Sequence, residues 1–179
     1  EVSSQGLKMQ RVEGIFFDIG MFLNIEPDHI GEGEHASFAE YLFCKSRLMR
    51  QCRIGIVNRD DPHTERILQG HTCSVETFSM LHPADVTAEN IRFFMQSGEL
   101  WGSFLVRGKT AVYPVRMQLP GTFNVYNALA AIRAAGHLGA AESDICLALR
   151  SAKVPGRCEN VRRSEDYVIL IYYAHNEMS

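Results

Sequence analysis

The sequence predicts an α/β protein: a Rossmann-like three-layer fold, with a parallel sheet covered by helices, that carries an antiparallel β appendage. Three observations predict it. Short apolar runs, IFFDIGMFLNI (15–25), RIGIVN (53–58) and CSVETFS (73–79), alternate with stretches of helical period, the pattern of strands buried on both faces of a parallel sheet. Between Asp85 and Pro120 the texture changes to β-type runs separated by turn dipeptides. Beyond Pro120 the helical period returns.

The first run is interrupted mainly by Asp18 and reads as a strand buried on both sides. A helix is predicted from Ser37 to about Gln51, opened by Ser37 and Glu40 at capping-box spacing. RIGIVN is a second strand ended by the polar turn RDDP, TERILQG a short helix stopped by Gly70, and CSVETFS a third strand. NIRFFMQ, ELWGSFLV and TAVYPVRMQL, separated by SG and RGK, predict antiparallel hairpins. Helices follow from Asn124 to about His137 and from Asp144 to Ala152, the second with Ser143 as N-cap and Ile145, Ala148 and Leu149 on one face. AKVPGRCEN reads as a domain junction, and VILIYYAHN as the start of a new buried strand.

The bulk composition bounds the function. With 179 residues, 46% of them hydrophobic, the chain can bury one core or slightly more. A net charge of −3 argues against a nucleic-acid footprint. Five cysteines (Cys44, Cys52, Cys73, Cys146, Cys158) are scattered with no CxxC spacing, which fits a reducing cytoplasm better than a disulfide framework or zinc cluster. No apolar stretch approaches the roughly 18 residues a membrane span needs. The first residue is Glu1 rather than Met, so the chain reads as a piece of a longer protein.

RGKT (107–110) is no phosphate loop: Gly102 lies one residue too far from Gly108, and the stretch falls in a hairpin. Lys45 is more informative. On the predicted helix it shares an apolar face with Phe38, Tyr41, Leu42, Leu48 and Met49. A buried ammonium must snorkel to water, find a counter-ion or lose its proton. A lysine deprotonated by burial can take up carbon dioxide as a carbamate, an anionic oxygen donor for a hard cation such as magnesium. Asp28, His29 and His35 lie just upstream, after a predicted strand, where open α/β sheets collect ligands.

Read in order, EVSSQGLKMQRVEGIFFDIGMFLNIEPDH, HASFAEYLFCKSRL, IVNRDDPH, PGTFNVYNALAA, VPGRCENV and YAHN closely resemble the Mur ligases of peptidoglycan synthesis, and within them the branch that adds the third residue of the peptide. The resemblance covers essentially the whole chain. It implies that residues 1–154 are the central, ATP-binding domain without its N-terminal phosphate-loop strand and helix. Residues 155–179 would begin the C-terminal domain. The implied activity is an ATP-dependent, amide-forming ligase of cell wall biogenesis, and so of cell shape and division, with ATP and Mg2+ as cofactors. ATP would phosphorylate the D-glutamate carboxylate of UDP-MurNAc-L-Ala-D-Glu, and a diamino acid amine would attack the acyl phosphate. The expected partners are these small molecules, with no nucleic acid and no membrane span, in the cytoplasm.

The resemblance also assigns residues. Glu1 and His29 match magnesium ligands, and Lys45 matches a carbamylated lysine that completes the metal set, with His29 and Lys45 as the catalytic pair. Ser3 and Arg11 match positions that hold the UDP-MurNAc-dipeptide. Asn124, Asn127, Arg157 and His175 match positions around ATP. Without the family, Ser3 reads as a turn hydroxyl, Asn124 as an N-cap and Arg157 as a linker charge. One departure stands out: the family's DYAHN is YYAHN here, with Tyr172 in place of an aspartate that contacts ribose. Without its flanking parts the piece is expected to be inactive, and neither diaminopimelate nor lysine is selected. The alternatives are another ligase of the superfamily, such as a folylpolyglutamate synthase, and a non-catalytic descendant that binds a nucleotide-sugar.

Overall fold

The first apolar run forms a strand, β1 (Phe17–Phe22), shorter than the 15–25 stretch that announces it. One end has a local cause and the other a long-range one. Ile15 closes a turn on the Val12 carbonyl, and at the other end the Ile25 amide donates to the Asp61 side chain instead of a neighbouring strand. The computed structural model describes residues 1–28, 30–155, 159–163 and 168–171. They fall into two compact units, Glu1–Phe78 and Ser79–Ser179.

In the first unit, helix α1 (Ser4–Lys8) precedes β1. Helix α2 (Phe38–Ser46) ends in a 3-10 turn (Arg47–Arg50), so the predicted 37–51 helix tightens in its last turn. β2 (Cys52–Asn58), the short helix α3 (Thr64–Ile67) and β3 (Ser74–Ser79) follow. The strands β1, β2 and β3 are parallel neighbours, with Ile19 opposite Ile54 and Ile56 opposite Glu76. The helices supply the cover for this sheet: Leu42 and Met49 join Phe22, Val57 and Ile67 in one buried cluster. α3 ends earlier than predicted, at Ile67 with Leu68 as its C-cap, and Gly70, with φ 69°, lies in the turn that follows.

The second unit is the predicted hairpin system and the helices after it. β4 (Val86–Gln96), β5 (Glu99–Arg107) and β6 (Val112–Met117) are antiparallel neighbours. Ser97 and Gly98 both have positive φ, 53° and 69°, as a two-residue hairpin turn requires. The RGKT stretch is a turn as well, closed by the Gly108 amide on the Ala111 carbonyl at 2.9 Å. β4 starts four residues before the predicted Asn90, because Asn90 (φ 54°) belongs to a bulge between Glu89 and Arg92 and not to a strand end.

Helix α4 (Thr122–His137) is capped by Gly121 at φ 102°. Helix α5 (Glu142–Ser151) corrects the predicted cap: its N-cap is Ala141, and Ser143 lies inside the first turn. Glu142 and Asp144 in that turn put negative charge against the free amides. Of the predicted apolar face only Ile145 is fully buried, while Ala148 is exposed. β7 (Glu159–Arg163), which the sequence did not announce, pairs antiparallel with β8 (Val168–Ile171). β8 was read as buried, yet Ile169 is 47% exposed. Among the described residues no helix is long and apolar enough to cross a membrane.

Candidate functional site around Lys45

The site in the first unit begins with how α2 starts. Ser37 Oγ accepts the Glu40 amide at 3.2 Å. The Glu40 carboxylate reaches back one residue further than a capping box requires, to the Ala36 amide at 2.7 Å. That bond, and Lys8 Nζ at 3.0 Å, keep the Glu40 carboxyl below its ordinary pKa.

The N-terminal segment is fastened to this helix and its entry loop by polar contacts. Lys8 donates to the Glu34 carbonyl at 3.0 Å and Arg47 to the Leu7 carbonyl at 2.7 Å. Ser4 Oγ lies 2.9 Å from His35 Nε2, with both side chains buried. Glu1, at the start of this segment, is exposed, and its charge acts on Lys45 in the last turn of α2.

Lys45 sits one helical turn after Tyr41, half-buried, with Nζ 5.9 Å from the centre of the Tyr41 ring. Burial lowers its pKa, and the Glu1 carboxylate works against that shift by favouring the ammonium. The Tyr41 hydroxyl is pushed the other way, by burial first and then by the charge of Asp28. Lys45, Glu1, Asp28 and Tyr41 therefore share one electrostatic neighbourhood. The ring of His35 lies 5.2 Å from that of Tyr41. The helical misfit read from the sequence is thus a lysine whose charged form is penalised.

Asp61 ties the two strand ends together beside this neighbourhood. Its carboxylate accepts the Ile25 amide at 3.0 Å and the His63 amide at 2.8 Å. The loop after β1, which carries Asp28, is thereby anchored to the loop after β2. The His63 ring packs edge-on against Phe38 at 4.9 Å.

The remaining expected residues divide into three groups. Ser3 caps α1, accepting the Gly6 amide at 3.0 Å, and Arg11 is exposed with Nη2 3.2 Å from Met9 Sδ. Asn124 and Asn127 belong to α4 in the second unit. Asn124 is buried and donates to the Pro120 carbonyl at 2.8 Å, while Asn127 is exposed and lies 3.4 Å from Asn124 Oδ1. Asn124 is not the helix cap that a reading without the family gives, since Gly121 holds that position. His29, Arg157, Tyr172 and His175 lie outside the described residues. Among the described residues, no group of three His, Cys, Asp or Glu side chains has the arrangement of a metal centre. Sequence reasoning named Tyr41 only as a member of the apolar face that carries Lys45, and it missed Asp61.

The Mur ligase middle domain matches residues 1–135. The chain belongs to this family. Among curated Mur ligases it is 34% identical to the UDP-N-acetylmuramyl-tripeptide synthetase of Lactobacillus acidophilus, over 100% of this chain and 37% of that protein. It is 39% identical to the UDP-N-acetylmuramoyl-L-alanyl-D-glutamate–L-lysine ligase of Streptococcus pneumoniae, over 98% of this chain and 34% of that protein. It therefore spans about a third of the length of the Mur ligases it matches. The fold agrees: a UDP-N-acetylmuramoyl-L-alanyl-D-glutamate–2,6-diaminopimelate ligase superposes with a TM-score of 0.78 over 91% of this chain and 34% of its own, at 24% identity. MurF from Acinetobacter baumannii does so at 0.74 over 89% of this chain and 34% of its own, at 25% identity. The α/β reading and the family resemblance are both borne out.

Proposed function

We propose that this chain is the central part of an ATP-dependent ligase that joins a diamino acid to UDP-MurNAc-L-Ala-D-Glu in the cytoplasm. Residues 1–154 belong to the nucleotide-binding domain in this reading, and 155–179 begin the next one. The observation that carries it is Lys45, half-buried over the Tyr41 ring on the apolar side of α2, with burial lowering its pKa against the charge of Glu1.

The donor set fits a hard divalent cation on one condition. An ammonium at Lys45 would repel the ion, whereas its carbamate would offer oxygen. The lowered pKa favours that change: the neutral amine attacks the carbon of carbon dioxide, a C–N bond forms, and a proton leaves to solvent. Glu1, His29 and carbamylated Lys45 would then hold Mg2+, which when bound neutralises phosphate charge during phosphoryl transfer. The protein's own part is positioning. The contacts of Ser4, Lys8 and Arg47 fasten the segment that begins with Glu1, and Asp61 fixes the loop that leads to His29. Ser3 and Arg11 are assigned to the UDP-MurNAc-dipeptide, and Asn124, Asn127, Arg157 and His175 to ATP.

The test is a chimera in which residues 1–179 replace the matching third of the Streptococcus pneumoniae ligase. Phosphate release should require ATP, Mg2+, the UDP-MurNAc-dipeptide and either lysine or diaminopimelate, and Lys45→Ala should abolish it. With 13C-bicarbonate, a carbamate signal should appear in the parent chimera and vanish in Lys45→Ala. A folded chimera that releases no phosphate with either amine would defeat this function.

A further inference from the structure

Away from Lys45, at the start of β2, three buried sulfur-bearing side chains lie against a pair of glycines in the core. Cys52 opens β2 and is 1% exposed, Cys73 lies one residue before β3 and is 8% exposed, and Met49 in the 3-10 turn is 1% exposed. Both cysteines are free thiols, and burial first, then the neighbouring Cys73, pushes the Cys52 thiol up to about 12, so its proton leaves only when a cation takes its place.

Two glycines make room for them. Gly20 and Gly55 are directly paired across β1 and β2. A Cβ at Gly20 would lie 2.8 Å from Cys52 Sγ, and one at Gly55 would lie 2.7 Å from Cys73 Sγ and 3.0 Å from Met49 Sδ. The sulfurs thus occupy the space that side chains on two paired strand residues would take. Glycine inside a strand is unfavourable, since it orders the most flexible backbone and packs nothing. Here that weakness sits at both members of a pair, and what fills the gap is two thiols and a thioether.

We infer that Cys52, Cys73 and Met49 form a binding site for a soft, thiophilic monovalent cation of the copper(I) class. Thiolate and thioether sulfur select such ions over the hard cations that carboxylates hold. The site is separate in chemistry and in residues from the one around Lys45. Loading is balanced without any redox step: two S–H bonds break, two metal–thiolate bonds form, two protons leave to solvent, and the thioether donates a lone pair. Entry is through the segment before β3. His71 and Thr72 are exposed immediately ahead of Cys73, and Thr72 is held by bonds of 3.3 Å to the Met49 and Arg50 carbonyls.

The test titrates the 179-residue chain with copper(I), anaerobically, against a chromophoric copper(I) chelator. The wild type should withdraw one equivalent from the chelator. Cys73→Ser and Cys52→Ser should each weaken binding by more than about 100-fold, beyond the range seen when only a supporting group around a metal is lost. Met49→Leu, which keeps the volume and removes the sulfur, should weaken it by about 10-fold, and it answers the question if Cys52→Ser fails to fold by circular dichroism. Cys146→Ser and Cys158→Ser should bind like the wild type. Binding that persists in Cys73→Ser, that falls equally in Cys146→Ser, or that is unchanged in Met49→Leu would overturn the site.

Discussion

Asp61→Ala should loosen the loop that leads from β1 towards His29, by an amount that the geometry sets. The carboxylate accepts two backbone amides, from Ile25 at 3.0 Å and His63 at 2.8 Å. A hydrogen bond to a charged group contributes about 1.5–3 kcal/mol. Asp61 is only partly buried and Ile25 itself is 3% exposed, so after discounting for solvent the loss is about 2–4 kcal/mol. Asp61→Asn keeps one acceptor oxygen and should cost roughly half as much. The direct assay is hydrogen exchange at the Ile25 amide, whose protection should fall by about 30- to 700-fold in Asp61→Ala at 1.4 kcal/mol per decade. The drop should be smaller in Asp61→Asn. Equal protection in all three proteins would show that the loop is held by something else and would refute the anchoring role given to Asp61.

Lys45→Met bears on the electrostatics of the site. The folded lysine has a lowered pKa, so between that value and the ordinary 10.5 the unfolded chain binds more protons. Wild-type stability should therefore climb as pH rises through that window, and urea titrations of Lys45→Met should lack this climb while being more stable at neutral pH. Gly55→Ala places a methyl against Cys73 Sγ and Met49 Sδ at 2.7 and 3.0 Å, an overpacking that should cost about 1–3 kcal/mol in thermal unfolding. The two asparagines of α4 should separate: Asn124→Ala loses a buried bond to the Pro120 carbonyl and should cost about 1 kcal/mol. Asn127→Ala, at an exposed position, should change stability by less than about 0.5 kcal/mol. A raised KM for ATP in the Asn127→Ala chimera would then report binding and not folding.

What the sequence made legible was what is local. Strand and helix order followed from apolar period and punctuation, and the Ser97–Gly98 turn from its dipeptide. Lys45 stood out because a charge on an apolar helical face is a local contradiction. The errors are also local in origin. Asn90 read as a boundary because asparagine favours turns, and its tolerance of positive φ here serves a bulge inside the strand. Ser143 read as a cap because its chemistry suits one, although Ala141 two residues earlier has the extended backbone that stops the helix.

The unread part of the site is long-range. Ser4 meets His35 across 31 positions and Ile25 meets Asp61 across 36, and neither pair has a spacing that a periodic pattern exposes. The same contacts decide what Lys45 can do. A lysine that snorkels freely would need only its own helix. Here it lies over Tyr41 and the charge of Glu1 acts on it, so the balance between burial and that carboxylate sets its proton affinity. Loosening the segment that begins with Glu1 by Arg47→Ala, which removes the 2.7 Å bond to the Leu7 carbonyl, should therefore alter the Lys45 titration seen by NMR with no change made to Lys45 itself. An unaltered titration would mean that Glu1 is positioned by its own contacts and that the Arg47 bond is structural only.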